Sequence, residues 1–312
     1  MSQNELHVIF GTGALGKWTA RELIKLGKRV RMVSHSGKVD SRIPASVEVV
    51  KGDAYDVNRN VEVTQGAAAV YQCAQPLYHE WAEKFPPMQR AILEAVSING
   101  AKFIVGDNLY MYGDTNGQPI REDMPYQAHT KKGKVRGEMA TAVMEAHRAG
   151  KVRAAIGRAS NFFGPDDMAV TSFAIRPALD GKAVNLLGRI DQPHTFSYVA
   201  DFGKLLATLG TRQEAIGQIW FTPSPAPVTQ IELVKLMEDE LGSKVKFMAA
   251  GKMTMSMLGL FMPVLRESVK MLYEWNKPFI MDSSKAEKAF GWQATPLQHA
   301  MKETIAWCRE SK

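Results

Sequence analysis

The sequence predicts a doubly wound α/β fold, a parallel sheet covered by helices on both faces, followed by a smaller, mainly helical C-terminal lobe. Three observations carry this expectation. Short apolar runs alternate with stretches of helical periodicity from residue 6 to residue 160. A glycine-rich turn, GTGALG at 11–16, joins the first apolar run to the first helical stretch. After residue 165 the alternation weakens, and Pro-rich pieces such as FTPSPAPV at 221–228 separate helices.

The first run, LHVIF at 6–10, is short and mainly apolar, which suits a buried parallel strand. KWTARELIKLG follows, with Trp18, Leu23, Ile24 and Leu26 near helical spacing and Gly27 as its stop. RVRMVS predicts a second strand, VEVV a third and AAAVYQCA a fourth. The helical PPMQRAILEAVSING leads to a fifth strand, AKFIVGDN. A helix over 131–149 then places Val135, Met139, Ala142, Val143 and Ala146 along one side, ahead of a sixth strand, VRAAIGRAS. Strands alternating with helices demand a parallel sheet with helices on both faces. The expected division is a nucleotide-binding domain over 1–165, to which 190–222 returns. The lobe is then interleaved, from 166–189 and 223–312.

Composition narrows the function classes. The 312 residues are 45% hydrophobic and 23% charged, ordinary for a globular chain. Two cysteines, Cys73 and Cys308, form no CxxC, and the seven histidines form no HxH, HxxxH or HExxH, so no metal is expected. The formal charge of +7 is scattered along the chain with one local cluster, Lys131, Lys132, Lys134 and Arg136, and without a basic stripe interleaved with aromatics. Nucleic acid is therefore not an expected partner, and the excess suits a polyanionic cofactor or simple solubility. MSQNELHVIFGTG leads straight into a strand, without the basic start and apolar run of a signal peptide. The apolar stretch MTMSMLGLFMPVL at 253–265 is too short to span a bilayer. A cytoplasmic location with no membrane partner is the expectation.

Gly11-Thr12-Gly13-Ala14-Leu15-Gly16 is the motif that carries most chemistry. Gly11 permits a tight turn, Gly13 lets the backbone approach a pyrophosphate, and Gly16 allows close helix packing. The phosphates would rest on the helix N-terminus, where free N–H groups and the helix dipole favour negative charge. Cofactor choice is read at the end of the second strand. There Ser34, His35, Ser36 and Lys38 stand where an NAD-selecting protein places Asp or Glu, so NADP is favoured, with NAD as the other option.

With these motifs in place, the chain resembles the extended or atypical short-chain dehydrogenase/reductases of the NAD-dependent epimerase/dehydratase group. The resemblance rests on GTGALG, GDAYD, YQCAQP, NLYMYG, GRASNFFGP, HTFSYVADFGKLL and FGWQATPLQHAMKETIAW, and runs over almost the whole length. It implies a Rossmann-type cofactor fold and a small-molecule substrate. It also implies that Asp53 and Ala54 lie by the adenine, Cys73, Ala74 and Gln75 along the cofactor, and Ser160 and Asn161 near the nicotinamide and substrate. Such proteins often pair through the helices after the fourth and fifth strands, which makes a homodimer an option.

The chain departs from that pattern at the catalytic positions. The family's chemistry resembles a Ser/Thr–Tyr–Lys arrangement in which Tyr and Lys are four residues apart. Lys134 matches the lysine, Thr130 stands where the tyrosine would, and Asn108 stands at the serine position. A threonine hydroxyl does not ionise near neutral pH, so the acid would have to be displaced, with Tyr110 leading and Tyr112, Tyr126 or an ordered water behind it. Asn108 can still donate a hydrogen bond to a carbonyl or alkoxide. Thr130 suits a helix N-cap as well as a site residue. Two functions stay open at this point. One is an NAD(P)-dependent oxidoreductase or epimerase-like enzyme acting at an alcohol or carbonyl carbon of a fairly apolar small molecule. The other is a non-catalytic NADP(H)-binding sensor.

Overall fold

The structure, a computed structural model, describes residues 4–167, 170–250 and 269–311. Its strands are β1 (Leu6–Phe10), β2 (Arg29–Ser34), β3 (Glu48–Lys51), β4 (Ala67–Gln72), β5 (Lys102–Asp107), β6 (Arg153–Arg158), β7 (Asn161–Phe163), β8 (Val184–Leu187), β9 (Phe196–Tyr198), β10 (Ile219–Phe221) and β11 (Phe247–Ala250). The helices that frame the site are α1 (Ala14–Lys25), α2 (Val57–Thr64), α3 (Trp81–Asn99), α4 (Lys131–Arg148), α5 (Arg176–Leu179), α6 (Val199–Thr211) and α7 (Gln230–Leu241).

Seven strands form one parallel sheet in the order β10-β6-β5-β4-β1-β2-β3. Chain order reverses between β1 and β4, which opens a crevice at the carboxyl ends of the strands. The mainly apolar β1 is explained by burial on both sides; its one polar residue, His7, is buried too, with its Nδ1 2.8 Å from the Tyr71 hydroxyl. Val8 and Phe10 pack with Val70, Phe103 and Val105 against Phe85, Ile92, Val96, Met139 and Val143 of α3 and α4. Ile9 packs with Met32, Tyr71 and Ile104 against Leu23 of α1 and Phe202, Leu205 and Leu209 of α6.

The six strands expected from the sequence all form. The short α2, capped by the Asp56 side chain, and the seventh strand β10 were not anticipated. Three residues of β10 carry too little periodicity to show in sequence. Helix α3 begins at Trp81, ahead of the expected start at Pro86, and runs through Pro86 and Pro87. Trp81 and Phe85 are four residues apart and both buried, and that burial outweighs the donors the prolines remove.

Beyond β6 the short pairs β7–β9 and β8–β11, with α5, α7 and the helix Leu297–Glu310, enclose a separate core of Phe163, Val184, Phe196, Leu233, Met237 and Ile305. A capping box at Thr229 and Glu232 starts α7. The helix Ser284–Phe290 returns to the sheet, where Phe290 packs on Trp220 with ring centroids 4.6 Å apart. The Met-rich stretch 253–265 lies outside the described residues. Among those described, no helix is long and apolar enough to cross a membrane, and no cluster of three or more His, Cys, Asp or Glu could hold a metal ion.

Candidate active site

The GTGALG turn links β1 to α1 at the crevice. Gly11 has φ +109°, and a Cβ there would come within 2.7 Å of the Ala74 nitrogen. A Cβ on Gly16 would lie 2.1 Å from the Gly11 carbonyl oxygen. Gly13 is the opposite case: it is exposed, and a Cβ on it would meet nothing within 4 Å. Gly13 also caps α1 without any side-chain hydrogen bond, and the first turn of α1 carries no acid. Two glycines are thus required by the protein itself, while the third keeps open space before uncapped N–H groups of Ala14 and Leu15. That combination fits a dinucleotide pyrophosphate.

Ser34 ends β2, and its Oγ accepts from the Gly37 backbone N–H at 3.1 Å. The Ser36 Oγ accepts from the Lys38 N–H at 3.2 Å, and His35 and Lys38 are exposed beside it. Both hydroxyl oxygens accept from backbone, so both hydroxyl hydrogens remain to be donated. Asp53, exposed after β3, accepts from the Tyr55 N–H, and the Ala54 carbonyl accepts from buried Asn60. Cys73 and Ala74 are half-buried at the carboxyl end of β4, with Gln75 exposed next to them. Burial pushes the Cys73 thiol up to about 12, against the Thr19 hydroxyl 3.9 Å away, so it lines the crevice as a neutral group.

At the end of β5, Asn108 Oδ1 accepts from the Tyr110 N–H at 3.1 Å, leaving the Nδ2 end of its amide to address a ligand. Tyr110 is half-buried beside Trp81, with its hydroxyl within reach of Tyr78. Burial, and then Tyr78 and Glu274, push its phenol well above the ordinary range. Thr130 is the N-cap of α4, its Oγ1 accepting from the Gly133 N–H at 3.1 Å. Lys134 is exposed on α4, one turn from that cap. Lys132, which the sequence reading passed over, is buried, and its Nζ sits 4.3 Å from the centre of the Tyr78 ring. Gly133 fixes that placement, since a Cβ there would lie 2.3 Å from the Tyr110 carbonyl oxygen.

Tyr112 and Tyr126, weighed as alternative acids, are engaged elsewhere. Both hydroxyls accept from buried Arg158, at 2.5 and 2.7 Å. Arg158 and Arg136 in turn hold Asp107, with Arg158 Nε 3.0 Å from Oδ2 and Arg136 Nε 2.8 Å from Oδ1. The Tyr126 hydroxyl therefore anchors this buried charge network and does not fold back over the crevice.

The end of β6 brings in the lobe. Ser160 is buried with its Oγ lacking a hydrogen-bond partner, and its N–H donates to Ser197 Oγ at 3.2 Å. Asn161 Nδ2 lies 3.3 Å from His194 Nε2 and donates to Glu274 Oε2 at 3.4 Å. Glu274 is 1% exposed, and its Oε1 has no hydrogen-bond partner. Burial pushes its carboxyl up to about 8, opposed by the Asn161 amide and the neighbouring Tyr273 hydroxyl. Asn108 and Tyr110 after β5, Thr130 at the start of α4, and Ser160 and Asn161 after β6 stand at this end of the sheet, together with Tyr78, Lys132 and Glu274. Glu274 had one visible signal, an acid set between Tyr273 and Trp275 in an otherwise apolar stretch.

Comparison with known proteins accords with this architecture. An epimerase from Methanothermobacter thermautotrophicus superposes with a TM-score of 0.82 at 16% identity, covering 99% of this chain and 93% of that one. A UDP-glucuronic acid 4-epimerase from Bacillus cereus, solved with UDP-glucuronic acid and NAD, gives 0.78 at 16% identity over 98% and 100%. A dTDP-glucose 4,6-dehydratase from Bacillus anthracis, solved with NAD, gives 0.81 at 13% identity over 98% and 97%. At such identities the likeness is one of fold. In sequence, the chain is 28% identical over 171 residues to a 3beta-hydroxysteroid-dehydrogenase/decarboxylase isoform of Arabidopsis thaliana, over 47% of this chain and only 38% of the plant protein. The model of one enzyme family matches residues 8–220, from the first strand through β10. The chain belongs to the NAD dependent epimerase/dehydratase family.

Proposed function

We propose that the chain is an NAD(P)-dependent oxidoreductase or epimerase-like enzyme acting at an alcohol or carbonyl carbon of a small, fairly apolar molecule. The observation that carries the reading is the continuity of the crevice. The open cradle at Gly13 follows β1, and Asn108 and Tyr110 follow β5, two strands of one parallel sheet with β4 between them; Asn161 comes just after the neighbouring β6, and Lys132 from the start of α4. Ligands of open α/β sheets bind at that edge.

The N–H groups of Ala14 and Leu15 would hold the pyrophosphate, and the Ser34 and Ser36 hydroxyls a 2′-phosphate, which favours NADP over NAD. Lys132 takes the role of ribose-holding lysine in place of Lys134, because it is the one buried at the crevice. A nicotinamide held there would supply the chemistry of hydride transfer. Tyr110, with its phenol raised by burial, keeps its proton and acts with the Asn108 amide as a hydrogen-bond donor to the substrate oxygen. Thr130 shapes the site by starting α4 and takes no proton. The aromatic rings of Tyr78, Tyr110 and Tyr273 suit an apolar substrate, and the name of the Arabidopsis relative points to the same class.

The test is oxidation of NADPH and NADH across a panel of aldehydes and ketones, with cofactor binding measured in parallel. Turnover of any member supports the enzyme. Tight cofactor binding without turnover across the panel would instead favour a dinucleotide sensor.

A further inference from the structure

The family's usual acid position holds Thr130, whose oxygen is committed to capping α4. Tyr112 and Tyr126 are committed to Arg158. A reaction that adds or removes hydride at a carbon bearing oxygen also moves one proton at that oxygen, and the groups so far described do not supply it.

We propose that Glu274, delivered by the C-terminal lobe, is the catalytic acid–base residue of this site. The inference rests on the enzymatic reading above. Its basis is geometric. Glu274 sits between the ends of β5 and β6, where Asn161 donates to its Oε2. Its buried Oε1 has no hydrogen-bond partner of good geometry, the Tyr273 hydroxyl on the preceding residue reaches this carboxyl alone, and Tyr110 stands close to both. A buried carboxyl oxygen left unpaired costs free energy that a site for a ligand oxygen accounts for.

The surroundings keep this carboxyl protonated near neutral pH. On its own segment stands Tyr273, whose phenol burial raises far above its usual range. From the sheet side come Tyr110, likewise raised, and Tyr78. From the lobe comes His194, which burial lowers to about 3 and which is therefore neutral; its Nδ1 contacts the Glu274 backbone oxygen at 3.2 Å. The charged groups at the rim are paired, Lys277 with Asp114 at 2.6 Å, and His129 packs on the Tyr273 ring. Among the described residues, no cation is seated against the carboxyl to drive off its proton. A general acid works best with a pKa near the operating pH, which Glu274 at about 8 satisfies and Tyr110 does not.

The proton balance is simple. In reduction, the carbonyl carbon gains the hydride and the C–O π pair moves onto oxygen. The Glu274 O–H bond breaks, its electron pair stays on the carboxylate, and a new O–H bond forms on the substrate. Oxidation runs the same step backward, with the carboxylate taking the hydroxyl proton.

The experiment compares wild type, Glu274→Gln and Tyr110→Phe. NADPH oxidation is followed with 9,10-phenanthrenequinone, 4-nitrobenzaldehyde and cyclohexanone from about pH 5 to about pH 10. NADPH affinity is measured by fluorescence, and the protonated carboxyl is titrated by infrared difference spectroscopy. Expected are wild-type NADPH affinity in Glu274→Gln, a loss of turnover of about 100-fold or more, and disappearance of the alkaline fall in rate near pH 8. The wild-type infrared spectrum should lose a carboxyl band through the same pH range, and the variant should show none. Tyr110→Phe should lose less and keep the alkaline limb. Wild-type turnover and an unchanged alkaline limb in Glu274→Gln, or a carboxyl already ionised at about pH 6, would overturn the proposal. A wild type that binds NADPH but turns over no probe would bring down the enzymatic reading itself, so the two failures are distinguishable.

Discussion

Lys132 Nζ lies 4.3 Å from the centre of the Tyr78 ring, whereas Lys134, two residues further along α4, is exposed. Two positions on a helix differ by about 200° of rotation, so only one of the two lysines can address the crevice. Lys132→Ala is expected to weaken NADPH binding by about 1–3 kcal/mol, the cost of losing a charged hydrogen bond. Lys134→Ala should leave it unchanged. Fluorescence titration of both variants decides this, and the reverse pattern would return the ribose role to Lys134.

Gly13 and Gly16 should respond oppositely to substitution. A side chain at Gly13 meets only open space, and its φ of −76° is open to any residue. Gly13→Asp is therefore expected to fold with near wild-type Tm while losing dinucleotide affinity, because its carboxylate would stand where the pyrophosphate belongs. Gly16→Ala brings its Cβ to 2.1 Å from a backbone oxygen and should lower Tm with or without cofactor. Equal NADPH affinity in Gly13→Asp and wild type would move the pyrophosphate elsewhere.

These two predictions mark how far the sequence could be read. The sheet and its cradle were legible because β1 is a short, mainly apolar run beside glycines whose spacing follows from backbone geometry, and β2 carries Val30, Met32 and Val33 into the core. Thr130 was legible as a cap because capping is local, a side chain bonding an N–H three residues on. Lys132 was not, because choosing it over Lys134 requires the rotation at which α4 docks, fixed by Gly133 against Tyr110. Nor was Glu274, which meets Asn161 across 113 residues of chain. The engagement of Tyr126 by Arg158 is equally nonlocal, and it removed an acid that proximity in sequence had suggested.

Cofactor preference is expected to follow the Ser34 loop. With Ser34 and Ser36 each retaining a donor and no carboxylate beside them, NADPH should bind more tightly than NADH. Ser34→Asp should invert that order, by accepting from a ribose 2′-OH and repelling a 2′-phosphate. Binding isotherms for both cofactors on both proteins are sufficient. Equal wild-type affinities would make this loop a polar turn without selectivity.

The same buried carboxyl that is proposed as the acid should leave a mark on stability that needs no substrate. Glu274 releases its proton at about 8 in the folded chain, against 4.5 for the free side chain, because burial penalises the charged form. As pH rises above about 4.5 the unfolded chain ionises first, so folding stability falls steadily until the folded carboxyl also ionises near pH 8. The contribution is fully present in acid, is lost between those two values, and is level above them. Glu274→Gln keeps the shape and the hydrogen bond from Asn161 but carries no such dependence. The difference in Tm, variant minus wild type, should therefore grow in the variant's favour from about pH 5 to about pH 8 and then flatten. Among the neighbours, Tyr110 and Tyr273 stay neutral over this range because burial raises them, and His194 stays neutral because burial lowers it. His129 packs on the Tyr273 ring, so the comparison is repeated in a His129→Gln background. A Tm difference that does not change with pH in either background would show that Glu274 ionises normally, and would leave the crevice without its proposed acid.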